Sequence, residues 1–241
     1  MNPILLMPAR MASNRLPGKP LADIAGRPMI VRVWERAVAA NLGPVVVAAA
    51  EPEIVQAVTA AGGRAVLTDP GLASGSDRIF AALQQLDPEA RHDVVVNLQC
   101  DLPALAVEDI RAVVAALAGS DIATLAAEIT DPAERDNPSV VKAVVAWQAS
   151  GKKGRALYFT RATAPSGAGP LFHHVGIYAF TRAALTRFVA LPPSPLEKRE
   201  RLEQLRALEA HMTIAVARVD RVPLSVDTEA DLERANRLLK S

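Results

Sequence analysis

The stretch Ile4-Leu5-Leu6-Met7, closed by Pro8, decides the fold class of this 241-residue chain. A short, wholly apolar run bounded by a turn-forming residue is typical of a parallel strand that is buried on both faces. Similar runs recur through the first half of the chain, and we predict further strands at Val45–Ala48, Ala65–Leu67 and Val94–Asn97.

Helical patterns separate these predicted strands. Apolar residues recur at helical spacing in Ile30–Val38, Ile54–Val58 and Ile79–Leu86. Strands that alternate with helices predict βαβ units, and hence an α/β fold with a mostly parallel central sheet and helices on both faces. In the less regular second half we predict strands at Val140–Trp147, Val175–Phe180 and Thr213–Val219, and helices at Leu196–Ala210 and Thr228–Leu239.

Composition argues against several classes of function. The 27 Lys and Arg residues nearly balance the 26 Asp and Glu residues, so the main electrostatic reason to expect nucleic-acid binding is missing. Cys100 is the only cysteine, which excludes an intrachain disulfide and suits the reducing cytoplasm. The apolar run near the N-terminus is too short for a signal peptide or a membrane span. We therefore expect a cytoplasmic protein that binds neither nucleic acid nor membrane.

A basic loop follows the first predicted strand. It places Arg10, Arg15 and Lys19 at the carboxyl end of that strand. Ligands of open α/β sheets bind beyond the carboxyl ends of the strands, and three cations there suit a polyphosphate. The loop is not a Walker A motif, because Pro20 follows the Gly-Lys pair and the earlier glycine is missing. A solvated basic surface loop is the alternative interpretation.

Two aspartates are candidate ligands of Mg²⁺, a metal that one or two carboxylates and substrate phosphates commonly hold. Asp101 follows the predicted strand Val94–Asn97, and Asp227 precedes the last helix. Each has a structural alternative, since Asp101 suits an Asx-turn or a helix N-cap, and Asp227 or Thr228 can cap the last helix. The sequence leaves these alternatives open.

Taken in order, these segments resemble the 3-deoxy-manno-octulosonate (Kdo) cytidylyltransferases, also called CMP-Kdo synthetases. Pro8–Leu21 carries the family's P-A-R-x-x-S-x-R-L-P-G-K-P-L, and Asn97–Pro103 resembles its N-x-Q-G-D-x-P. The other matching segments are Ser74–Arg78, Asn137-Pro138 with Val141-Lys142, Ala156–Arg161, His174–Tyr178, Ser194–Glu197, Leu202–Arg206 and Val226–Thr228.

The resemblance implies a Rossmann-like nucleotide-diphospho-sugar transferase fold in a single domain of residues 1–241, usually as a homodimer. Residues 1–130 would form a nucleotide-binding half, and residues 131–241 a sugar-acid and dimerisation half. The implied reaction transfers CMP from CTP to the anomeric hydroxyl of Kdo, giving CMP-Kdo and pyrophosphate for lipopolysaccharide biosynthesis, with Mg²⁺ as cofactor.

The resemblance also assigns roles to individual residues. Arg10, Lys19, Asp101 and Asp227 are the expected catalytic residues, and the two aspartates are the expected Mg²⁺ ligands. The expected CTP-binding residues are Ala9, Arg10, Arg15, Lys19, Ser74, Gly75 and Arg78, with Ser74 and Gly75 at the cytosine. The expected sugar-acid-binding residues are Gln99, Arg161, His174, Tyr178, Glu203 and Gln204.

Three departures from the family pattern stand near these positions. Ala48-Ala49-Ala50 replaces the usual A-T-D, Cys100 replaces a glycine, and Leu102 replaces an acid. We expect Cys100 to have an ordinary backbone φ, since residues with a side chain rarely adopt positive values. A cytidylyltransferase for a related sugar acid (an amino-Kdo or a nonulosonate) and a non-catalytic nucleotide-binding relative are the alternative functions.

Overall fold

The computed structural model describes residues 1–13 and 15–240, so Asn14 of the basic loop lies outside it. The chain forms two compact units, one of Met1–Arg111 with Pro223–Ser241 and one of Ala112–Val222. No helix within the described ranges is long and apolar enough to cross a membrane.

Strands and helices alternate through the first part of the chain. They are β1 (Pro3–Ala9), a 3₁₀ helix (Lys19–Leu21), β2 (Asp23–Ile24), β3 (Arg27–Pro28), α1 (Met29–Ala39), β4 (Val45–Ala49), α2 (Pro52–Ala60), β5 (Arg64–Leu67), α3 (Gly75–Leu86), β6 (Val94–Asn97) and α4 (Val107–Ala116). The remaining elements are β7 (Ile122–Glu128), α5 (Pro132–Arg135), β8 (Lys142–Trp147), β9 (Lys153–Thr160), β10 (Phe172–Thr181), α6 (Arg182–Ala190), α7 (Pro195–Glu200), α8 (Gln204–Glu209), β11 (Ile214–Val219) and α9 (Glu229–Lys240).

The first unit contains the parallel strands that the sequence predicts, in the order β5-β4-β1-β6. Every residue of β1, β4 and β6 is buried, which explains why these strands are continuous apolar runs. Pro8 is tolerated in β1 because it lies beyond Pro3–Leu6, the part of β1 that pairs with β6.

The strand order creates a crevice beside β1. The chain moves outward from β1 to β4 and β5, and then returns to the opposite side of β1 to form β6. Because βαβ crossovers are right-handed, α1 and α2 cover one face of this sheet and α3 covers the other. The direction of winding therefore reverses between β1 and β6, and ligands of open α/β sheets bind beyond the carboxyl ends of such strands.

An apolar cluster attaches both the basic loop and the C-terminal segment to the first unit. It contains Leu16, Ile24 and Met29 from the start of the chain, and Val226 and Ala235 from its end. All five side chains are buried, so their removal from water holds these distant segments together. The residues that adjoin the cluster, Lys19 and Asp227 among them, are thereby fixed in place.

The second unit corrects the expectation of a mostly parallel sheet. Its strands follow the order β10-β7-β11-β9-β8, and β11 pairs with β7 in parallel. The pairs β10–β7, β10–β8, β11–β9 and β8–β9 are all antiparallel. The chain is therefore an α/β protein with a mixed sheet, and of the antiparallel pairs in this unit only β8 and β9 follow one another directly as a hairpin.

The predicted helix Leu196–Ala210 is wrong in its continuity, since α7 and α8 are separate helices. Arg201 has a left-handed φ of 56° and ends α7, and the N–H of Leu202 then donates to the carbonyl of Glu197 at 3.2 Å. Arg206 of α8 donates to Glu197 of α7 at 2.5 and 2.8 Å, which fixes the two helices together. The break places Glu203 and Gln204 at the start of α8.

A glycine in the β8–β9 hairpin permits close packing, and we expect its replacement to destabilise the protein. A Cβ at Gly154 would lie 2.5 Å from Cγ1 of Val145 and 2.7 Å from the carbonyl oxygen of Ala146. Gly154→Ala should lower the free energy of unfolding by about 1–3 kcal/mol, as overpacking does. Urea unfolding measures this, with Gly176→Ala as control, because a Cβ there meets nothing within 4 Å. Equal losses in the two variants would contradict the packing explanation.

Candidate active site

A cavity of about 540 Å³ lies in the first unit, at the carboxyl ends of β1 and β6. Its position is the crevice that the reversal of strand order creates. All the first-unit residues that the resemblance assigns to substrate or metal line this cavity, namely Ala9, Arg10, Arg15, Lys19, Ser74, Gly75, Arg78, Gln99, Asp101 and Asp227.

Lys19 lies between the two candidate metal ligands. Its Nζ donates to Oδ2 of Asp101 at 2.7 Å and to Oδ1 of Asp227 at 3.0 Å. Arg15 adds a second cation, with its Nη2 at 3.1 Å from the same oxygen of Asp227. The fold therefore brings together four charged groups from the basic loop, the end of β6 and the C-terminal segment.

Backbone contacts hold the two carboxylates in this arrangement. The N–H of Val226 donates to the carbonyl of Asp101 at 2.9 Å. Thr228 caps α9, since its Oγ1 accepts the N–H of Asp231 while Oδ2 of Asp231 accepts the N–H of Thr228 at 3.0 Å. This resolves the alternative that the sequence left open, because the side chain of Asp227 faces Lys19 and Arg15 instead of capping the helix.

The ion pairs also set the charge of Lys19. Burial alone would lower the pKa of its ammonium group, but the charges and hydrogen bonds of Asp101 and Asp227 outweigh burial and raise that pKa. Lys19 therefore stays cationic at neutral pH. The crevice presents fixed positive charge beside two carboxylates, which suits a ligand with several phosphates and a bound divalent cation.

Arg78 and Ser74 shape the cavity wall after β5. The guanidinium of Arg78 is buried and donates to Oγ1 of Thr68 at 2.7 Å and to the carbonyl of Asp69 at 3.1 Å, and burial lowers its pKa. Ser74 caps α3 and forms a capping box with Asp77. These contacts hold the loop after β5 and the N-terminus of α3 against the cavity.

Cys100 has an ordinary backbone, as the sequence analysis predicts. Its φ is not among the positive values found in the described part of the chain. Burial, with a smaller contribution from the charge of Asp101, raises the pKa of the thiol to about 12. The thiol is therefore neutral near pH 7 and lacks the thiolate character that a nucleophilic cysteine needs.

Glu51 is a site residue that the sequence analysis missed. Its Oε2 accepts the N–H of Met11 at 2.9 Å, so the residue after Ala48-Ala49-Ala50 holds the start of the basic loop. The carboxylate also acts electrostatically on Arg78. One feature of the sequence could have indicated Glu51. It lies at the carboxyl end of β4, next to the alanines that depart from the family pattern.

A bulge in β10 brings His174 and Tyr178 together in the second unit. In a regular strand, residues four apart are separated by about 13 Å. Here Val175 pairs with Leu125 and Tyr178 with Thr124, so Gly176 and Ile177 are looped out between them. The rings of His174 and Tyr178 consequently approach to 5.5 Å between centroids.

Thr124 fixes the tautomer of His174. Its Oγ1 lies 3.1 Å from the carbonyl of Val175 and 2.8 Å from that of Ile177, so its single hydrogen is donated to the bulge. The same oxygen lies 3.0 Å from Nε2 of His174 and must accept a hydrogen bond from it. Burial, and secondarily the neighbouring His173, lowers the pKa of His174 to about 3, so the ring is neutral at physiological pH.

The other predicted sugar-acid residues of the second unit lie on neighbouring elements. Arg161 follows β9, and its side chain donates to the carbonyls of Glu200 at 2.8 Å and Pro138 at 3.0 Å. Burial and the charge of Glu203 raise the pKa of Tyr178, which places Glu203 near that ring. Gln204 is 7% exposed, and its Nε2 has no hydrogen-bond partner among the described residues. A buried donor of this kind is costly unless an ordered water or a ligand accepts from it.

We expect His174 to contribute to the loss of stability in mild acid. Because its folded pKa is about 3, below the ordinary 6.5, the folded state binds fewer protons than the unfolded chain between these values. Its contribution to stability is complete above pH 6.5 and declines as the pH falls towards 3. His174→Gln should reduce the loss of unfolding free energy between pH 7 and pH 5 by at most about 2 kcal/mol.

Chemical denaturation across this pH range measures the effect. His211→Asn is the matched control, because His211 is exposed and its left-handed φ of 58° suits asparagine. An identical pH dependence in His174→Gln and wild type would show that His174 is not the group responsible.

The donor set of the crevice fits Mg²⁺. Within residues 1–13 and 15–240 no group of three or more His, Cys, Asp or Glu side chains is arranged to hold a metal. Asp101 and Asp227, however, each place an oxygen within 3.0 Å of the ammonium nitrogen of Lys19, so the two carboxylates already bind one cation together. Two carboxylates completed by water and substrate phosphates is a common coordination of Mg²⁺.

Comparison with known proteins finds similar sequences over nearly the whole chain. A family model described as Cytidylyltransferase matches residues 4–214. A 3-deoxy-manno-octulosonate cytidylyltransferase from Rhodospirillum centenum is 64% identical over 240 residues, covering 99% of this chain and 93% of the relative. The enzyme of the same name from Parvibaculum lavamentivorans is 63% identical, with the same coverage.

A solved structure is also similar over nearly the whole chain. It is a CMP:2-keto-3-deoxy-manno-octonic acid synthetase complexed with CTP, and it superposes with a TM-score of 0.90. The two sequences are 37% identical, and the match covers 99% of this chain and 98% of that one.

Proposed function

Since this chain belongs to the 3-deoxy-manno-octulosonate cytidylyltransferase family, we propose that it transfers CMP from CTP to the anomeric hydroxyl of Kdo. The products are CMP-Kdo and pyrophosphate. The single observation that carries the proposal is the ammonium group of Lys19, held between Asp101 and Asp227 in the crevice beyond β1 and β6.

The basic loop supplies binding and charge neutralisation for the triphosphate. Arg10, Arg15 and Lys19 all line the cavity, and Lys19 remains cationic at neutral pH. During transfer, the anomeric hydroxyl of Kdo releases its proton to solvent as its oxygen bonds to the α-phosphorus, while the bond from that phosphorus to the bridging oxygen breaks and pyrophosphate leaves. Negative charge then accumulates on pyrophosphate, and fixed cations stabilise that charge.

Positioning is the other requirement of this reaction. Phosphoryl transfer needs the attacking oxygen and the leaving group in line with the phosphorus, and it needs no covalent nucleophile from the protein. The neutral thiol of Cys100 agrees with this chemistry, because no thiolate is required. Glu51 and Arg78 contribute indirectly by holding the loops that carry the contacts.

Asp101 and Asp227 would hold Mg²⁺ in this reaction. The bound ion would supply positive charge at the phosphate oxygens and help to orient them. Lys19 must then exchange its carboxylate partners for phosphate oxygens, which its long flexible side chain permits.

Sugar-acid recognition is proposed for Gln99 of the first unit and for Arg161, His174, Tyr178, Glu203 and Gln204 of the second unit. Arg161 suits the carboxylate of a sugar acid because its guanidinium is planar and permanently charged. The buried amide of Gln204 offers a donor that a sugar hydroxyl can satisfy. The ring of His174 is neutral and therefore does not add a second positive charge.

We further propose a homodimer in the cytoplasm, following the family resemblance and the single cysteine. Light scattering coupled to size-exclusion chromatography tests the association. A mass of twice 25.6 kDa supports it, and a mass of 25.6 kDa at micromolar concentration contradicts it.

Pyrophosphate release tests the substrate assignment. The purified protein is incubated with CTP, Mg²⁺ and one of three sugar acids: Kdo, 8-amino-Kdo or a nonulosonate. We expect the highest kcat/KM with Kdo, and CTP preferred over the other nucleoside triphosphates. A higher kcat/KM with 8-amino-Kdo or the nonulosonate would assign the enzyme to that sugar acid, and no release with any of them would contradict the activity.

A further inference from the structure

Lys142 is a fully buried lysine in the second unit, with 0% of its surface exposed. Its Nζ donates to three main-chain carbonyl oxygens, those of Asn137 at 2.7 Å, Val140 at 2.9 Å and Arg161 at 3.4 Å. An ammonium group has three donors and no acceptor, so these three carbonyls match its hydrogen-bonding capacity. Burying this charge costs free energy, which the three hydrogen bonds offset.

We call residues 137–142 the 137–142 segment. The contacts of Lys142 hold this segment in a turn. Two of its three acceptors belong to that segment, and the third is the carbonyl of Arg161 at the end of β9. Oδ1 of Asn137 also accepts the N–H of Ser139 at 2.9 Å, which tightens the same turn. Lys142 therefore joins the segment to the residue that follows β9.

Two proposed sugar-acid residues attach to this segment through its carbonyl oxygens. Nη1 of Arg161 donates to Pro138 at 3.0 Å, and the backbone N–H of His174 donates to Val141 at 2.9 Å. The other fixed contact of the Arg161 side chain is the carbonyl of Glu200. The orientation of the guanidinium thus depends on where the 137–142 segment lies.

We propose that Lys142 is a positioning residue for sugar-acid binding, acting through the 137–142 segment on Arg161 and His174. This assignment rests on the proposed function of those two residues. Lys142 does not touch the sugar acid, because its three donors are engaged within the protein. Its effect should appear in the binding of the sugar acid and leave the binding of CTP unchanged.

The test compares Lys142→Met with wild type by steady-state kinetics, using Kdo or whichever sugar acid the wild type prefers. Methionine retains the apolar stem and removes the three donors. We expect the KM for the sugar acid to rise by about tenfold or more, as misplacement of binding groups predicts, with the KM for CTP changed less than about twofold. Lys153→Met is the matched control, since Nζ of Lys153 also donates to a main-chain carbonyl, that of Ala118 at 3.1 Å.

A double-mutant cycle separates this role from general destabilisation. Because part of the effect of Lys142 acts through Arg161, the increase in the sugar-acid KM of Lys142→Met/Arg161→Met should be smaller than the product of the two single increases. Independent effects that multiply would overturn the assignment, and so would equal increases in the two substrate KM values. If Lys142→Met does not fold, Asn137→Ala replaces it, because Asn137 is exposed and its loss loosens the same segment. An unchanged sugar-acid KM in Asn137→Ala would then overturn the assignment.

Wild-type activity distinguishes the two levels of the proposal. A wild type that is inactive with every sugar acid overturns the proposed function, and the role of Lys142 with it. An active wild type with unaltered variants overturns the role of Lys142 alone.

Discussion

Asp101→Asn should lower kcat by at least on the order of a hundredfold while the protein remains folded, because one of two carboxylate ligands for Mg²⁺ is lost. Asp101 also accepts a hydrogen bond from Lys19 at 2.7 Å, and asparagine keeps the shape and an acceptor oxygen but removes the charge. Pyrophosphate release at saturating CTP and Kdo, over a range of Mg²⁺ concentrations, measures the loss.

Asp93→Asn is the matched control, since it removes the charge of an exposed aspartate of the same unit. We expect it to retain wild-type turnover. Thermal unfolding of both variants shows whether the fold is intact. Near-normal turnover of Asp101→Asn at saturating Mg²⁺ would exclude Asp101 as a metal ligand.

Lys19→Met should raise the KM for CTP by roughly tenfold to over a hundredfold, the expected effect of losing about 1.5–3 kcal/mol from a charge-assisted contact. Lys19 is the more buried of the two cations that pair with these carboxylates. Its side chain is 13% exposed, and that of Arg15 is 66% exposed. The KM for Kdo should change much less, because the basic loop is assigned to phosphate.

Steady-state titrations of each substrate at saturation of the other measure this difference. Lys152→Met serves as the control, because Lys152 is exposed and lies in the second unit. A variant in which the KM for Kdo alone rises would show that Lys19 serves the sugar acid and not the triphosphate.

The parallel half of the fold was predictable from the sequence because its strands are buried on both faces. Such strands are continuous apolar runs, as in β1 and β6, and the helices between them have clear apolar stripes. The handedness of the crossovers then fixes which face of the sheet each helix covers, but the order of the strands, and with it the crevice, is seen only in the folded structure. Pairing across the second unit depends on long-range antiparallel contacts, which no local pattern specifies.

The sequence analysis did not predict strands β7 and β9 or the break between α7 and α8, and each of these omissions has a physical cause. Strand β7 is rich in alanine, which has little β propensity, and β9 contains the half-buried Lys153 and the exposed Arg155, so neither has a strong strand signature. The break between α7 and α8 occurs at Arg201, which has a left-handed conformation that arginine rarely adopts. The sequence therefore has no Gly or Pro at this position to indicate the end of a helix. Burial of Leu202 accompanies this turn.

The motifs predicted most of the residues that line the cavity, but they did not predict the contacts between those residues. The motifs identified Lys19, Asp101 and Asp227, but their contact across 82 and 208 residues of sequence requires the folded structure. The capping role of Thr228, which leaves Asp227 to face Lys19, was one of two alternatives until the hydrogen bonds decided it. Glu51 acts through the backbone N–H of Met11, a kind of contact that no sequence motif identifies. Lys142 lies in a segment that matches the family, but the match did not indicate its contacts.

Transfer of a labelled phosphorus tests the central claim most directly. The protein is incubated with Mg²⁺, Kdo and CTP that carries ³²P in the α-phosphate, and the products are separated by chromatography. We predict that the label moves into a sugar nucleotide only when Kdo is present, with one pyrophosphate released for each CMP transferred. Label that remains in CTP, or that appears as CMP or CDP without a Kdo adduct, would contradict CMP transfer at this site.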